Sequence, residues 1–367
     1  MSLLFSPLRL RALELPNRIQ VSPMCQYSAV DGSMNDWHLM HYGSLALSGA
    51  GLLVIEATHV SAQGRITHGC SGLYSDDNAA ALARVLGFCR VHSAMPIGIQ
   101  LGHAGRKASS ERPWEGRGSL KDGADPWPVV AASDLPFAEG WPVPAVLDRD
   151  ALRSIREAFV RATERAAALG IDLIELHSAH GYLLSTFLSP LSNRRTDEYG
   201  GSRENRMRFP LETFAAMRAA WPAERPMGVR IHGSDWTDSG WGVDDAVAYA
   251  AALQALGCDY VTVSSGGVAS AAQIPVGPGY QVGLAEAVRR ATGMVTCAVG
   301  MITGAAQAEA ILAEGRADQV ALARAMLFNP HWPWAAAAAL DSNAALPPQY
   351  ARAGAATWRG TIPTGAA

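Results

Sequence analysis

The densest group of reactive side chains in the sequence is His177, His180 and Tyr182, in the run from Glu175 to Tyr182. Residues three apart on a regular strand face opposite sides, so the two imidazoles converge only if a strand stops near His177. Gly181 suits the turn that must come next, because glycine reaches backbone angles closed to other residues. Converging imidazoles would offer paired N–H donors to an oxygen that becomes negative in a transition state. The Tyr182 phenol could then give a proton to a nearby carbon. The same spacing also fits Glu175, His177 and His180 as a metal triad, or the histidines as ordinary buried polar groups. Elsewhere, Arg230 would aim a cation at a site where an anion or a delocalised ring must balance it. Gly300 and Arg324 could hold an oxyanion between backbone N–H groups and a guanidinium fork. Cys25 is a candidate nucleophile, sulfur contact or packing residue, and no basic residue within two positions would activate its thiol. Lys107 is one of only two lysines among thirty basic residues, and so a rare candidate for amine chemistry.

These residues fall at the ends of short apolar runs that alternate with segments of helical period. The runs are Ile19–Ser22, Leu52–Ala57, Ile97–Leu101, Leu173–His177, Met227–Ile231, Tyr260–Ser264, Thr296–Val299 and Gln319–Leu322. Asp148 is placed to cap a helix whose Leu152, Ile155, Phe159 and Thr163 share a face, with Gly170 as its stop. A second helix follows Val243, with Val247, Ala250 and Ala251 on one face and Gly257 at its end. A third runs from about Ala305 to Glu314. Eight strands each followed by helical sequence predict an α/β fold, a (β/α)8 TIM barrel, whose active site lies at the C-terminal ends of the strands. Those ends deliver Ser22 to Tyr27, Glu56 to His59, Gln100 to Lys107, Glu175 to Tyr182, Arg230 to His232, Val299-Gly300 and Ala323-Arg324.

A bare barrel uses roughly 250 residues, and this chain has 367. Part of the surplus, 104–147, comes after the third strand as a predicted cap or lid; Trp114, Trp127 and Trp141 argue that it is ordered. The rest is a Pro- and Ala-rich C-terminal tail, 330–367. The 33 acidic and 30 basic residues leave a net charge of −3, which removes electrostatic grounds for a nucleic-acid or anionic-membrane partner. Five scattered cysteines without a C-x-x-C pair argue against an iron–sulfur cluster, a zinc ribbon or a disulfide scaffold. No apolar stretch is long enough for a membrane span, and no signal peptide is evident, so a cytoplasmic location is expected.

The stretch His177-Ser-Ala-His180-Gly-Tyr182-Leu-Leu resembles the old yellow enzyme family. So do Phe187-Leu-Ser-Pro190, Asn193 to Ser202 and Glu204-Asn-Arg206. Pro23-Met24-Cys25-Gln26-Tyr27, Gly105-Arg106-Lys107 and Arg324-Ala-Met add to the likeness, which runs from about Leu4 to Tyr350. Cys25 in place of threonine resembles the thermophilic-like branch that includes xenobiotic reductases. The resemblance implies one FMN-binding barrel domain over 1–367, reducing the activated alkene of α,β-unsaturated carbonyls with NADPH or NADH. Hydride would pass through flavin N5 to the β-carbon in a ping-pong cycle. Ser22, Pro23, Met24, Cys25, Ala57 and Gln100 would meet the non-covalent FMN ring, with Cys25 tuning its potential. Arg230 would balance charge at the ring's N1–O2 edge, and Gly300, Ala323 and Arg324 would hold the phosphate. His177 and His180 would grip the substrate oxygen, Tyr182 would donate the proton and Tyr27 would contact substrate. Arg352 would reach the site of a neighbouring subunit in a homodimer or homotetramer. Ala323 stands where a glycine is common, which would tighten the phosphate approach, and the tail beyond Arg352 is longer than in the family. The reading from another class is a flavin-free barrel: a metal-assisted hydrolase on Glu175, His177 and His180, or a lyase with Lys107 as Schiff-base amine.

Overall fold

The computed structural model describes residues 2–354. It opens with an antiparallel hairpin, β1 (Leu8–Leu10) and β2 (Leu13–Leu15). Leu10 and Leu15 pack on Leu52, Leu173 and Tyr260, the first residues of three later strands, so the hairpin covers the N-terminal ends of those strands.

The remaining strands are β3 (Ile19–Val21), β4 (Leu52–His59) and β5 (Ile97–Gly102), then the short β6 (Val130–Ala131) and β7 (Ala145–Val146). After these come β8 (Leu173–Ser178), β9 (Met227–His232), β10 (Tyr260–Ser264), β11 (Val295–Ala298) and β12 (Gln319–Leu322). All except β6 and β7 form a closed barrel in the order β10-β11-β12-β3-β4-β5-β8-β9, every pair parallel. The eight expected strands are thus present. β4 runs two residues further than expected, because a register shift between Ile55 and Ala57 lets His59 pair with Gly102.

Ten helices are described, and each barrel strand is followed by at least one. They are α1 (Asp36–Ala46), α2 (Asp76–His92), α3 (Arg149–Ala168), α4 (Leu183–Leu188), α5 (Arg203–Ala220), α6 (Val243–Ala255), α7 (Val282–Thr292), α8 (Ala305–Ala313), α9 (Arg324–Phe328) and α10 (Trp332–Ala339). The Asp148 carboxylate caps α3 by accepting from Ala151 N–H at 2.8 Å. Gly170, with φ +69°, turns the chain after it. The face of α6 differs from expectation. Ala246, Tyr249, Ala250 and Leu253 are buried while Ala251 is exposed. Tyr249 sets this orientation, because its hydroxyl pairs with the buried Ser178 Oγ at 3.0 Å.

The expected cap, 104–147, is tied to the barrel rather than loose. It begins with a 3-10 turn, Gly105–Lys107, and includes the parallel pair β6–β7. The buried Arg106 guanidinium donates to the carbonyls of Leu135, Pro136 and Val268, joining the segment to the loop after β10. Trp127 donates its indole N–H to Gln63 O, and Trp141 packs edge-on against Phe137. Trp114 instead stays 65% exposed, with its ring edge toward Tyr27. The tail carries α10 and a 3-10 turn, Pro348–Ala353; the rest of the expected tail lies outside the described residues.

Candidate active site

The register of the barrel layers the inward side chains. Ala57 lies opposite Gln100, and Gln100 opposite Glu175. One step nearer the mouth, His59 faces Gly102, and His177 faces Arg230. β8 stops at Ser178, and His180 and Gly181 take left-handed backbone angles, φ +62° and +74°. That turn folds His180 back toward His177, with ring centroids 5.1 Å apart and His180 Nδ1 at 3.3 Å from His177 Nε2. A Cβ on Gly181 would run into Gly267 O, so no other residue fits there. His180 and Tyr27 (φ +52°) both hold conformations that L residues rarely adopt, which concentrates backbone strain at this mouth.

His177 is buried and His180 half-buried, and desolvation, reinforced by the Arg230 cation, holds both well below the usual histidine range. They are therefore neutral, with one N–H each. The two rings converge as expected, edge-on to one another, with a nitrogen of each turned toward the other. Ala179 N–H donates to His177 Nδ1 at 3.3 Å, and His180 Nε2 lies 2.7 Å from Ser264 Oγ. Tyr182 stands edge-on to His177, centroids 5.0 Å apart, and burial pushes its phenol far up, which keeps it protonated.

Glu175 is no metal ligand. Its carboxylate accepts from Gln100 Nε2 at 2.7 Å, Thr262 Oγ1 at 2.6 Å and Tyr260 OH at 3.3 Å, which occupies it inside the barrel. Among the described residues no group of three histidine, cysteine or acidic side chains could hold a metal. The Lys107 ammonium donates to His180 O at 2.8 Å and Gly267 O at 3.2 Å and lies 5.0 Å from the Tyr182 ring centre. Burial and the neighbouring Arg106 bring its pKa down to about 8, yet its donors are engaged by carbonyls, which disfavours Schiff-base chemistry. Burial raises the Cys25 thiol, so it is no activated nucleophile. Cys25, with Tyr27 and Tyr182, packs against the buried cluster that includes Ile66 and Cys70.

A cavity of about 410 Å³ adjoins the histidines, lined among others by Ser22, Arg230, Gly300, Ala323 and Arg324. That is within the size of a small-molecule or cofactor site. No acidic side chain lines it. The Arg230 Nε is buried without a partner, and neither arginine makes an ion pair among the described residues. Gly300, at φ +111°, leaves room that a Cβ would fill, 2.8 Å from Gln281 Nε2. Two unpaired cations around a glycine cradle suit a phosphorylated, electron-accepting ring such as FMN. Ala323 lines the cavity beside Arg324, where its methyl would face the phosphate. Arg352 is exposed in the tail and does not line this cavity.

Sequence reasoning missed Ser264, Ser265 and Gln281. Ser264 ends the sixth barrel strand and Ser265 follows it, a position that itself was the available signal.

Residues 3–343 match the model of the NADH:flavin oxidoreductase / NADH oxidase family. The chain is 45% identical over 353 residues to the NADPH dehydrogenase of Geobacillus thermodenitrificans, covering 96% of this chain and 98% of that one. It is 40% identical over 351 residues to the NADPH dehydrogenase of Bacillus subtilis, covering 95% and 98%. Among solved structures, morphinone reductase superposes with a TM-score of 0.78 at 28% identity, covering 94% of this chain and 91% of that one. Morphinone reductase in complex with tetrahydroNAD gives 0.76 at the same identity, covering 94% and 93%. Matched in sequence and architecture over nearly its whole length, this chain belongs to the NADH:flavin oxidoreductase / NADH oxidase family, the old yellow enzymes.

Proposed function

We propose that His177 and His180 hold the carbonyl oxygen of an activated alkene and that Tyr182 protonates its α-carbon. The chain thereby works as an FMN-dependent NAD(P)H ene-reductase. The observation that carries this reading is the convergence of two neutral imidazoles and a protonated phenol beside a cavity with unpaired cations. When bound, FMN would supply the redox chemistry, hydride transfer from NAD(P)H to the alkene β-carbon.

The protein does the rest by orientation and electrostatics. An imidazole N–H aimed at the carbonyl oxygen stabilises the charge that gathers there as the β-carbon is reduced. Tyr182 holds its proton until a strongly basic enolate carbon presents itself, since burial makes the phenol a weak acid. Arg230, one of the groups that partly offsets that burial, favours the phenolate left behind. Ser22, Pro23, Met24, Cys25, Ala57 and Gln100 would line the flavin ring, with Arg230 at its polar edge and Gly300, Ala323 and Arg324 around the phosphate. Tyr27 would contact substrate. The segment 104–147, pinned by Arg106, would shield the mouth from water as a lid on one barrel domain.

We place the enzyme in the cytoplasm as a homodimer or homotetramer, with the exposed Arg352 reaching a neighbour's site. No described helix is long and apolar enough to cross a membrane, and the five cysteines are free. The test is the visible spectrum of the purified protein with NADPH oxidation in the presence of 2-cyclohexenone. Flavin absorption and enone-dependent turnover are expected; no flavin, with one equivalent of bound metal, would overturn the reading.

A further inference from the structure

The histidine pair has four ring nitrogens and, both rings being neutral, two protons. Ala179 N–H donates to His177 Nδ1, so the His177 proton is on Nε2, facing His180 Nδ1 at 3.3 Å. At the other side of His180, Nε2 lies 2.7 Å from Ser264 Oγ. Ser264 Oγ also lies 3.2 Å from Gln281 Oε1, which already accepts from the Ser265 hydroxyl at 2.6 Å. Ser264 is 3% exposed and, with His180 and Gln281, lines the cavity described above.

One serine proton therefore has two acceptors. With the Ser264 O–H on Gln281, His180 must carry its proton on Nε2 and donate it to Ser264. His180 Nδ1 then accepts from His177 Nε2–H, and the pair is closed on itself. With the Ser264 O–H turned to His180 Nε2, the His180 proton sits on Nδ1. Both inward nitrogens are then donors, an arrangement that needs an oxygen between them. Gln281 Oε1 keeps its bond from Ser265 in either state, so little is lost there.

We infer that Ser264 is a positioning residue whose hydroxyl selects which nitrogen of His180 is protonated, and so whether the histidine pair is closed or open to a substrate oxygen. The inference rests on the assignment of His177 and His180 to substrate oxygen. The exchange is balanced: His180 releases its Nε2 proton to water and takes one at Nδ1 from water, Ser264 only rotates, and no net charge changes.

The test uses FMN-loaded enzyme with 15N-labelled histidine and p-cresol, whose phenolic oxygen stands for an enolate. Long-range 1H–15N spectra are expected to show Nδ1 of His180 unprotonated in the free enzyme and Nε2 unprotonated with p-cresol bound. Ser264→Ala takes two bonds from the closed state and one from the open state, so it should tighten p-cresol by up to about 12-fold, the worth of one neutral hydrogen bond. Ser264→Thr, which keeps the hydroxyl, should stay within about twofold of the parent, since the bond is retained. An unchanged His180 tautomer, or a Ser264→Ala variant that binds p-cresol more weakly than the parent, would overturn the inference. If Ser264→Ala fails to fold or to hold FMN, the tautomers of the parent decide alone. A parent whose His177 and His180 signals ignore saturating p-cresol would instead refute the substrate-oxygen assignment, and the inference with it.

Discussion

Removing the His177 imidazole perturbs one hydrogen bond to the reacting oxygen and two within the resting site. In His177→Ala the oxyanion loses one donor, a change that typically costs about 10²–10³ in kcat. Ala179 N–H loses its acceptor and His180 Nδ1 its partner. His177 is 5% exposed, so an unsatisfied group left there destabilises the fold by about 1–3 kcal/mol. The cofactor cavity is not lined by His177, so FMN should remain bound. Hydride leaves a nicotinamide without an enolate forming, so the reductive half-reaction with NADPH should fall much less than the oxidative one. Rapid mixing measures the two separately: flavin bleaching by NADPH, then recovery of the oxidised spectrum on adding 2-cyclohexenone. Equal losses in both half-reactions would refute an oxyanion role and leave His177 as a packing residue.

The same geometry fixes three further outcomes. Cys25→Ser or Cys25→Ala should shift the FMN midpoint potential by tens of millivolts (about 30 mV is 1.4 kcal/mol for two electrons) with turnover retained; an unchanged midpoint reduces the thiol to packing, and abolished turnover with FMN bound would make it a participant. Burial lowers His59 to about 3 and His103 to about 4, against 6.5 when unfolded. As pH falls below 6.5 the unfolded chain therefore binds protons first, and stability drops. Over the span from pH 6.5 to 5 the loss is about 2 kcal/mol per histidine, so urea denaturation should show a lower midpoint at pH 5 than at pH 7, and equal midpoints would contradict neutral buried imidazoles. Gly181→Ala forces a Cβ against Gly267 O at a left-handed φ, and should destabilise by about 1–3 kcal/mol with loss of alkene reduction; a fully active, equally stable variant would show that the turn is not what aligns the histidines.

Much of the barrel was legible because each strand is a short run of β-branched and apolar residues between glycine stops, and strand ends locate the mouth of such a fold. The likeness of His177 to Tyr182 and of the surrounding motifs to a known family pointed to the function. What stayed hidden depends on partners distant in sequence. The acceptors of Arg106 are carbonyls at Leu135, Pro136 and Val268, which no local spacing brings together. Glu175 read as a possible ligand because the donors that engage it come from β5 and β10. Ser264 carries no titratable signature, and its importance appears only once β10 sets it against His180. The α6 face was misjudged because apolar alanines on both sides look alike until Tyr249 finds Ser178.

The central claim, that this mouth protonates an alkene carbon while its β-carbon is reduced, is tested most directly with Tyr182→Phe. NADPH-reduced enzyme is mixed anaerobically with 2-cyclohexenone in D2O, and both the rate of flavin reoxidation and the position of deuterium in the product are measured. The parent should place solvent deuterium at the α-carbon, and Tyr182→Phe should retain FMN but slow reoxidation by about 10²–10⁴-fold, the usual worth of a general acid. Reoxidation of Tyr182→Phe at the parent rate, or a parent product without deuterium at the α-carbon, would contradict the account.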